Sequence, residues 1–382
     1  MTYLDHVSGM PTDPRVISFA ERFLSEGSGN PFTLHSVGLE GKRGLEDARA
    51  KVADFINAES PGTIVFTSGA TESNNLAVRG TGLRNRRKGT HVLMSAIEHI
   101  SVVNPMKELG KQGFDVGVVP VDSSGILDLN VLREMITPET TLVSVNYAND
   151  EIGTIEPVQE ISQIVHEKGA LLHMNATAAA GRVPVDVEKD GIDLLTLSSN
   201  DLGGPRGAGA LYMRKGVRIQ PVVVGGGQER GLRPGTENLF AIAGMGEAAR
   251  LASADMVSEM KRLSAIRDAY IKGILEIEEA YLTGHPERRL PGHASFRFSR
   301  IEGESILLNL DTLYDIQVAT GSACTSQSLE ASSTLLAIGL RHEEAHGSMV
   351  LSLGRQNTSE EVPAVIEGVR KTVERLRRLS PL

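Results

Sequence analysis

Among its 382 residues the sequence holds a single cysteine, Cys324. An intramolecular disulfide is therefore excluded, a reducing, cytoplasmic setting is expected, and the lone thiol becomes a candidate for chemistry. No apolar run approaches membrane-spanning length, and the opening Met-Thr-Tyr-Leu-Asp lacks the basic-then-apolar pattern of an export signal, so no membrane association is expected. Basic runs are missing as well, and a net charge of −9 argues against nucleic acid as the main partner. Internal repeats and low-complexity tracts are absent.

What remains is ordinary for a globular protein, with 40% hydrophobic and 23% charged residues. The chain is long enough for a large core and more than one domain. Apolar, β-rich runs at 63–67, 91–96, 114–121, 141–145, 170–174 and 194–197 alternate with helical patterns. That alternation implies a mainly parallel sheet with right-handed crossovers. Helical spacing marks 13–27 and, more firmly, 43–57, where Leu45, Ala48, Val52, Phe55 and Ile56 share one face. A long helical pattern runs from about 247 to 280. Beyond about 260 the chain reads as an α+β unit, with strands at 294–298 and 315–319, a helix at 305–313 and a charged helix at 366–378.

The chain is organised around residues 193–213. A short apolar strand ends in Ser198-Ser199-Asn200-Asp201, followed by the Gly/Pro-rich loop Leu-Gly-Gly-Pro-Arg-Gly and a second apolar strand from Ala208. The turn presents hydroxyl, amide and carboxylate groups at a strand's carboxyl end, where open α/β sheets place ligands. A second informative stretch is Thr67-Ser-Gly-Ala70-Thr71-Glu-Ser-Asn-Asn75. Small residues between a strand and a helix leave free N–H groups, which suit a phosphate as well as they suit a plain helix cap. Cys324 sits in Gly321-Ser-Ala-Cys-Thr-Ser-Gln-Ser, a run of small polar residues that favours an exposed, reactive thiol over a buried hydrophobe.

In combination these motifs resemble those of the cysteine desulfurases, class V members of the pyridoxal-phosphate aminotransferase superfamily, over nearly the whole chain. The resemblance implies a type I aminotransferase fold of the α/β class. Residues 15–255 would form a large cofactor domain with a mainly parallel sheet, and 1–14 with 256–382 a smaller α+β domain carrying the Cys324 loop. It implies a phosphate cup at Ala70 and Thr71, a ring-stacking, proton-moving His99, and cofactor contacts from Asp150, Asn175, Ser198, Ser199 and Asn200. In Gly225-Gly-Gly-Gln-Glu-Arg-Gly-Leu-Arg-Pro-Gly-Thr236 it implies a homodimer, with Thr236 reaching the phosphate of the other subunit's cofactor.

The departures from the family pattern gather in the site. Asp201 stands where the family has the cofactor lysine, and a carboxylate cannot form a Schiff base. If buried, its pKa should rise. Asn175 replaces the aspartate that pairs with the protonated ring nitrogen, Ala178 a glutamine and Asp150 an asparagine that contact the ring oxygen. Val350 replaces the arginine that clamps the substrate carboxylate, while Arg355 keeps the second arginine position. Non-covalent pyridoxal phosphate, or pyridoxamine phosphate, is therefore expected.

Three readings follow. The first is a protein of iron–sulfur cluster assembly that takes sulfur from L-cysteine through Cys324, with His99 and Asp201 as the remaining acid–base groups and with standard desulfurase activity weak or absent. The second is a non-enzymatic platform that lends the Cys324 thiolate to an IscU-like scaffold protein, as sulfur carrier or as ligand of a shared [2Fe-2S] cluster. The third is different chemistry on an amine-form cofactor.

Overall fold

The computed structural model describes residues 1–25, 29–321 and 331–379. The chain opens with β1 (Thr2–Tyr3), α1 (Pro14–Ala20), α2 (Arg22–Ser25) and α3 (Ser36–Phe55). An alternating run follows: β2 (Ile64–Thr67), α4 (Ala70–Asn85), β3 (His91–Ser95), α5 (Ile100–Lys111), β4 (Asp115–Val119) and α6 (Leu129–Met135). It continues through β5 (Thr140–Asn146), α7 (Val158–Glu167), β6 (Leu171–Asn175), β7 (Leu194–Ser198) and β8 (Gly209–Met213). The remainder comprises α8 (Leu239–Ile274), β9 (Ala280–Thr283), β10 (His293–Phe298), α9 (Gly303–Tyr314), β11 (Ile316–Gln317), α10 (Ser333–Ala337), α11 (His342–Ala345), β12 (Ser348–Ser352) and α12 (Val362–Leu379).

Seven strands form the large sheet in the order β2-β8-β7-β6-β5-β3-β4. Neighbours from β7 to β4 are parallel, whereas β8 runs antiparallel to β7 and β2. β2, β5 and β7 are buried at every position, which is why they read as continuous apolar runs and not as alternating ones. Helices cover both faces. One core includes Val52, Ile161, Val165 and Ala249 from α3, α7 and α8; the opposite one includes Leu76, Val102 and Leu109 from α4 and α5. Because β5 returns between β3 and β6, the chain direction across the sheet switches at the β3–β5 edge. Open sheets of this kind form a ligand crevice beyond the carboxyl ends at such a switch.

A second hydrophobic cluster lies around the antiparallel sheet β12-β10-β9 and the parallel pair β1-β11. α8 links the two cores. Its first half packs on α3, where a Cβ on Gly246 would lie 2.6 Å from the Ala48 Cα, so only glycine allows the helices to approach this closely. Its last turns give Ile266, Tyr270 and Ile274 to the second cluster.

Three boundaries differ from the sequence-based expectation. α3 starts at Ser36, capped by His35; Gly38 and Gly41 in its first turns weaken the helical signal there. α8 starts at Leu239, where the Asn238 side chain accepts the Ala241 N–H at 3.2 Å. The strand expected at 315–319 is only Ile316–Gln317, because Asp315 takes a left-handed conformation (φ 56) that closes α9.

Candidate active site

The crevice begins at the end of β2. The turn Ser68-Gly69 leads into α4, whose N-terminus has no side-chain cap, and a Cβ added to Gly69 would meet nothing within 4 Å. The amides of Ala70 and Thr71 therefore face open space at the positive end of a helix. Glu72 accepts the Ser68 N–H at 2.6 Å and the Arg233 Nε at 3.2 Å. Burial opposes its ionisation, but these donors prevail and hold the carboxyl below its usual range. The Arg233 contact ties the glycine-rich loop to the turn; Thr236 on that loop is exposed.

His99 caps α5 from the end of β3, its Nδ1 accepting the Ser101 N–H at 3.1 Å. It stands between two cavities. One, of about 370 Å³, is lined by Thr71, Asn75 and Ser101. The other, of about 320 Å³, is lined by Glu98, Asp150, Glu151, Thr320 and Val350. Both share Ile100 and Asn104 with His99, so one continuous surface runs from the α4 N-terminus to β12.

Behind His99 lies a buried polar chain. Ser144 Oγ donates to Glu98 Oε1 at 3.2 Å and lies 2.8 Å from His173 Nδ1, while His173 Nε2 meets Thr196 Oγ1 at 3.0 Å. Burial pushes Glu98 up to about 8 and His173 down to about 3, so both are neutral near pH 7. Asn175 closes β6 next to them. Its Oδ1 accepts both the Thr177 hydroxyl (2.6 Å) and the Thr177 N–H (3.3 Å). With the amide oxygen so occupied, the group Asn175 has left to offer a ligand is an N–H donor.

Ser198 closes β7, its hydroxyl donating to Asn200 Oδ1 at 2.7 Å; Asn200 Nδ2 in turn donates to Asp201 Oδ2 at 3.0 Å. Ser199 is fully buried and its hydroxyl has no hydrogen-bond partner among the described residues. It packs against Gly204, where a Cβ would come 2.4 Å from its Oγ. Asp201 is 5% exposed and lies 3.9 Å from the buried guanidinium of Arg182. Burial raises its carboxyl to about 6, against the pull of Arg182. Arg182 also donates to the carbonyls of Ala178 (3.1 Å) and His6 (3.1 Å). Asp201 and Arg182 also line a small cavity of about 50 Å³, together with Met10, Met256 and Leu353.

On the open side, Val350 lies buried in β12 against Ala319. Arg355 lines neither large cavity but borders the 50 Å³ one with Asp201 and Arg182; its guanidinium lies 2.5 Å from Asp255 and 4.0 Å from Asp13. Asp150 lines the larger-sheet side of the cavity, and its carbonyl accepts from His293 Nε2 at 2.8 Å when that nitrogen carries the proton. Cys324 lies outside the described residues. Among the described residues there is no group of three or more His, Cys, Asp or Glu that could hold a metal ion.

The fold thus brings the ends of β2, β3 and β5 to one crevice, with an uncapped helix terminus at one end and a histidine between the two cavities, while Asn175, Ser198, Ser199 and Asp201 at the ends of β6 and β7 are buried and line neither of those cavities. These residues suit an aromatic phosphate ester: amides for the phosphate, His99 beside the cavities, and Asn175 as a donor to a ring nitrogen. Three participants were not singled out from sequence: Glu98, Glu151 and Arg182. Each sits directly after a strand or turn and next to an apolar residue (Ile97-Glu98, Glu151-Ile152, Arg182-Val183). That was the available signal.

Comparison with known proteins agrees. The aminotransferase class-V family matches residues 2–365. The chain is 53% identical to cysteine desulfurase IscS 1 of Archaeoglobus fulgidus, over 100% of this chain and 99% of that one. It is 45% identical to cysteine desulfurase IscS of Methanosarcina thermophila, over 100% of this chain and 94% of that one. Among solved structures, a NifS-like protein superposes with a TM-score of 0.91 at 34% identity, covering 98% of this chain and 100% of the other. The chain belongs to the class-V aminotransferases, which use pyridoxal phosphate, and within them to the IscS-type cysteine desulfurase family. That family serves iron–sulfur cluster assembly.

Proposed function

We propose that this protein handles sulfur from L-cysteine through Cys324 for transfer to an iron–sulfur scaffold protein, with standard desulfurase activity weak or absent. The observation that carries this reading is the buried Asp201–Arg182 pair at the end of β7. The position holds an acid tied to a guanidinium, where an amine would be needed to bind an aldehyde covalently. Among the described residues, the one lysine lining the 320 Å³ cavity is Lys107, exposed on α5.

In this reading Ala70 and Thr71 hold the cofactor phosphate and Thr236 reaches the partner subunit's cofactor in a homodimer. His99 and Asp201 serve as proton carriers; general acid–base groups are typically worth about 10²–10⁴ in rate. Bound here, pyridoxal phosphate would supply an electron sink at the substrate's α-carbon. Asn175, fixed by Thr177 as a donor, favours an unprotonated ring nitrogen and weakens that sink. Val350 leaves the substrate carboxylate without the bidentate partner that only arginine supplies well. We place the protein in the cytoplasm. The division at residues 15–255 draws support from the two hydrophobic clusters, with Met256 in the first and Ile266 in the second.

The test is formation of a Cys324 persulfide from L-cysteine, read by mass spectrometry. Asp201→Lys combined with Asn175→Asp and Val350→Arg should raise it strongly over the natural chain. No gain in the triple variant would count against the reading. The loss of the carboxylate clamp also favours a second reading, in which the dimer is a platform, inorganic sulfide supplies the cluster sulfur and the Cys324 thiolate ligates a [2Fe-2S] cluster with the scaffold. Cys324→Ala would then abolish cluster assembly on the scaffold and leave cofactor content unchanged.

A further inference from the structure

Glu151 occupies an unusual place. Its backbone is fixed from both sides: Asn149 Oδ1 accepts the N–H groups of Glu151 and Ile152 at 2.9 Å each, and Asn149 Nδ2 donates to the Ile97 carbonyl at 3.0 Å. The carboxyl projects from this post towards the small-domain wall of the cavity, where two points of the chain converge on it. Ser332 Oγ donates to Oε2 at 2.6 Å. On the other side a Cβ added to Gly321 would fall 1.8 Å from Oε1, so any side chain at this position displaces the carboxyl. Gly321 is held there by its own N–H, which donates to Ser348 Oγ at 3.1 Å.

Gly321 and Ser332 are the stems of the segment that carries Cys324. Packing reinforces the arrangement, because Ile152, next to Glu151, shares a hydrophobic cluster with Leu335 and Ile338 just beyond the second stem. Oε1 is buried with no hydrogen-bond partner among the described residues, an arrangement that costs free energy.

We propose that Glu151 is a positioning residue: its carboxyl clamps both stems of the Cys324 segment at the mouth of the cavity and so governs the reactivity of the Cys324 thiol. The consequence for sulfur handling rests on the function proposed above; the clamp itself does not. Burial, and after it the charge of Asp150, pushes the Glu151 carboxyl up to about 8. The other charged groups facing the same cavity are Glu98, His99 and Lys107. Near neutral pH Glu151 is therefore mostly protonated. The clamped carboxyl keeps a proton that an opened, hydrated one would lose, so the clamp weakens as pH rises from the ordinary glutamate range to about 8 and then levels off.

The test is the rate at which iodoacetamide, a neutral reagent, alkylates Cys324 in the full-length chain between pH 7 and 9.5. Glu151→Ala should raise the rate at pH 7 at least fivefold, whereas Glu151→Gln, which keeps an acceptor for Ser332, should stay within twofold of the natural chain. The natural chain should show an extra rise from pH 7 to about 8, beyond the ionisation of the thiol and levelling off above it, that Glu151→Gln lacks. Gly321→Ala, which drives the carboxyl off its post, should copy Glu151→Ala, and Ser332→Ala gives a milder variant should either fail to fold. Rates within twofold and identical pH profiles across the folded variants would overturn the clamp. No gain in persulfide from L-cysteine in the Asp201→Lys, Asn175→Asp, Val350→Arg triple variant, alongside the expected alkylation pattern, would sink the proposed function and leave the clamp standing.

Discussion

Removing Arg182 should cost an amount of stability that depends on pH, and the dependence can be worked from the structure. In the folded chain the Asp201 carboxyl sits at about 6, against an ordinary value of 3.8. The native state thus keeps a proton that the unfolded state loses, and this group's contribution falls as pH rises from about 4 to about 6, then levels off. Arg182 is what keeps the value from rising further. In Arg182→Met the carboxyl has lost its nearest counter-charge, so its pKa climbs and the falling window extends upwards. Within that extension each pH unit costs about 1.4 kcal/mol. The penalty of the substitution should accordingly grow by about 2–3 kcal/mol between pH 6 and 8, on top of a pH-independent loss from the bonds to Ala178 and His6. The total at pH 8 should approach the roughly 3–5 kcal/mol typical of a broken buried pair. Equilibrium urea unfolding at the two pH values measures it, and adding Asp201→Asn should abolish the pH-dependent part. A penalty equal at pH 6 and 8 within about 0.5 kcal/mol would refute the reasoning.

Other outcomes follow from the same chemistry. Glu98 sits at about 8 when folded, against an ordinary value of 4.5, so it withdraws stability as pH rises through that window; Glu98→Gln should make the stability–pH slope there less negative by about 1.4 kcal/mol per unit, seen by unfolding at pH 5 and 7.5. His173 has the opposite sign: its value is lowered to about 3 from 6.5, so the unfolded state takes up the proton first and stability is lost as pH falls through that range. His173→Gln should blunt this acid sensitivity in a melt series from pH 7 to 4. Thr177→Val removes the hydroxyl that orients the Asn175 amide and should weaken pyridoxal phosphate binding by about fivefold, the equivalent of one ordinary hydrogen bond, as read by titration of cofactor absorbance.

Much of this site could be read from the sequence because its residues follow buried strands. Continuous apolar runs mark where β7 and β6 end, and Ser198–Asp201 and Asn175 stand at those ends. Small residues after β2 likewise mark the α4 terminus. What escaped was tertiary. Arg182 is an unremarkable charge in a turn until the fold buries it beside Asp201. Glu98 and Glu151 become neutral acids only because strands from distant parts of the chain enclose them. The early turns of α3 and α8 were hidden by glycines that serve close packing, as Gly246 does against Ala48. The pairing of β12 with β10 and β9 is a long-range contact that local spacing does not record.

The central claim is that position 201 holds an acid in a buried pair and that the cofactor is therefore held without a covalent link. The most direct test saturates the protein with pyridoxal phosphate, confirms binding by absorbance, reduces with borohydride, denatures, and weighs the intact chain. The account expects saturable binding, an unmodified chain mass and all of the cofactor in the small-molecule fraction. A chain carrying the reduced cofactor on a lysine, Lys107 being the one that lines the cavity, would contradict it, as would a protein that binds no pyridoxal phosphate at all.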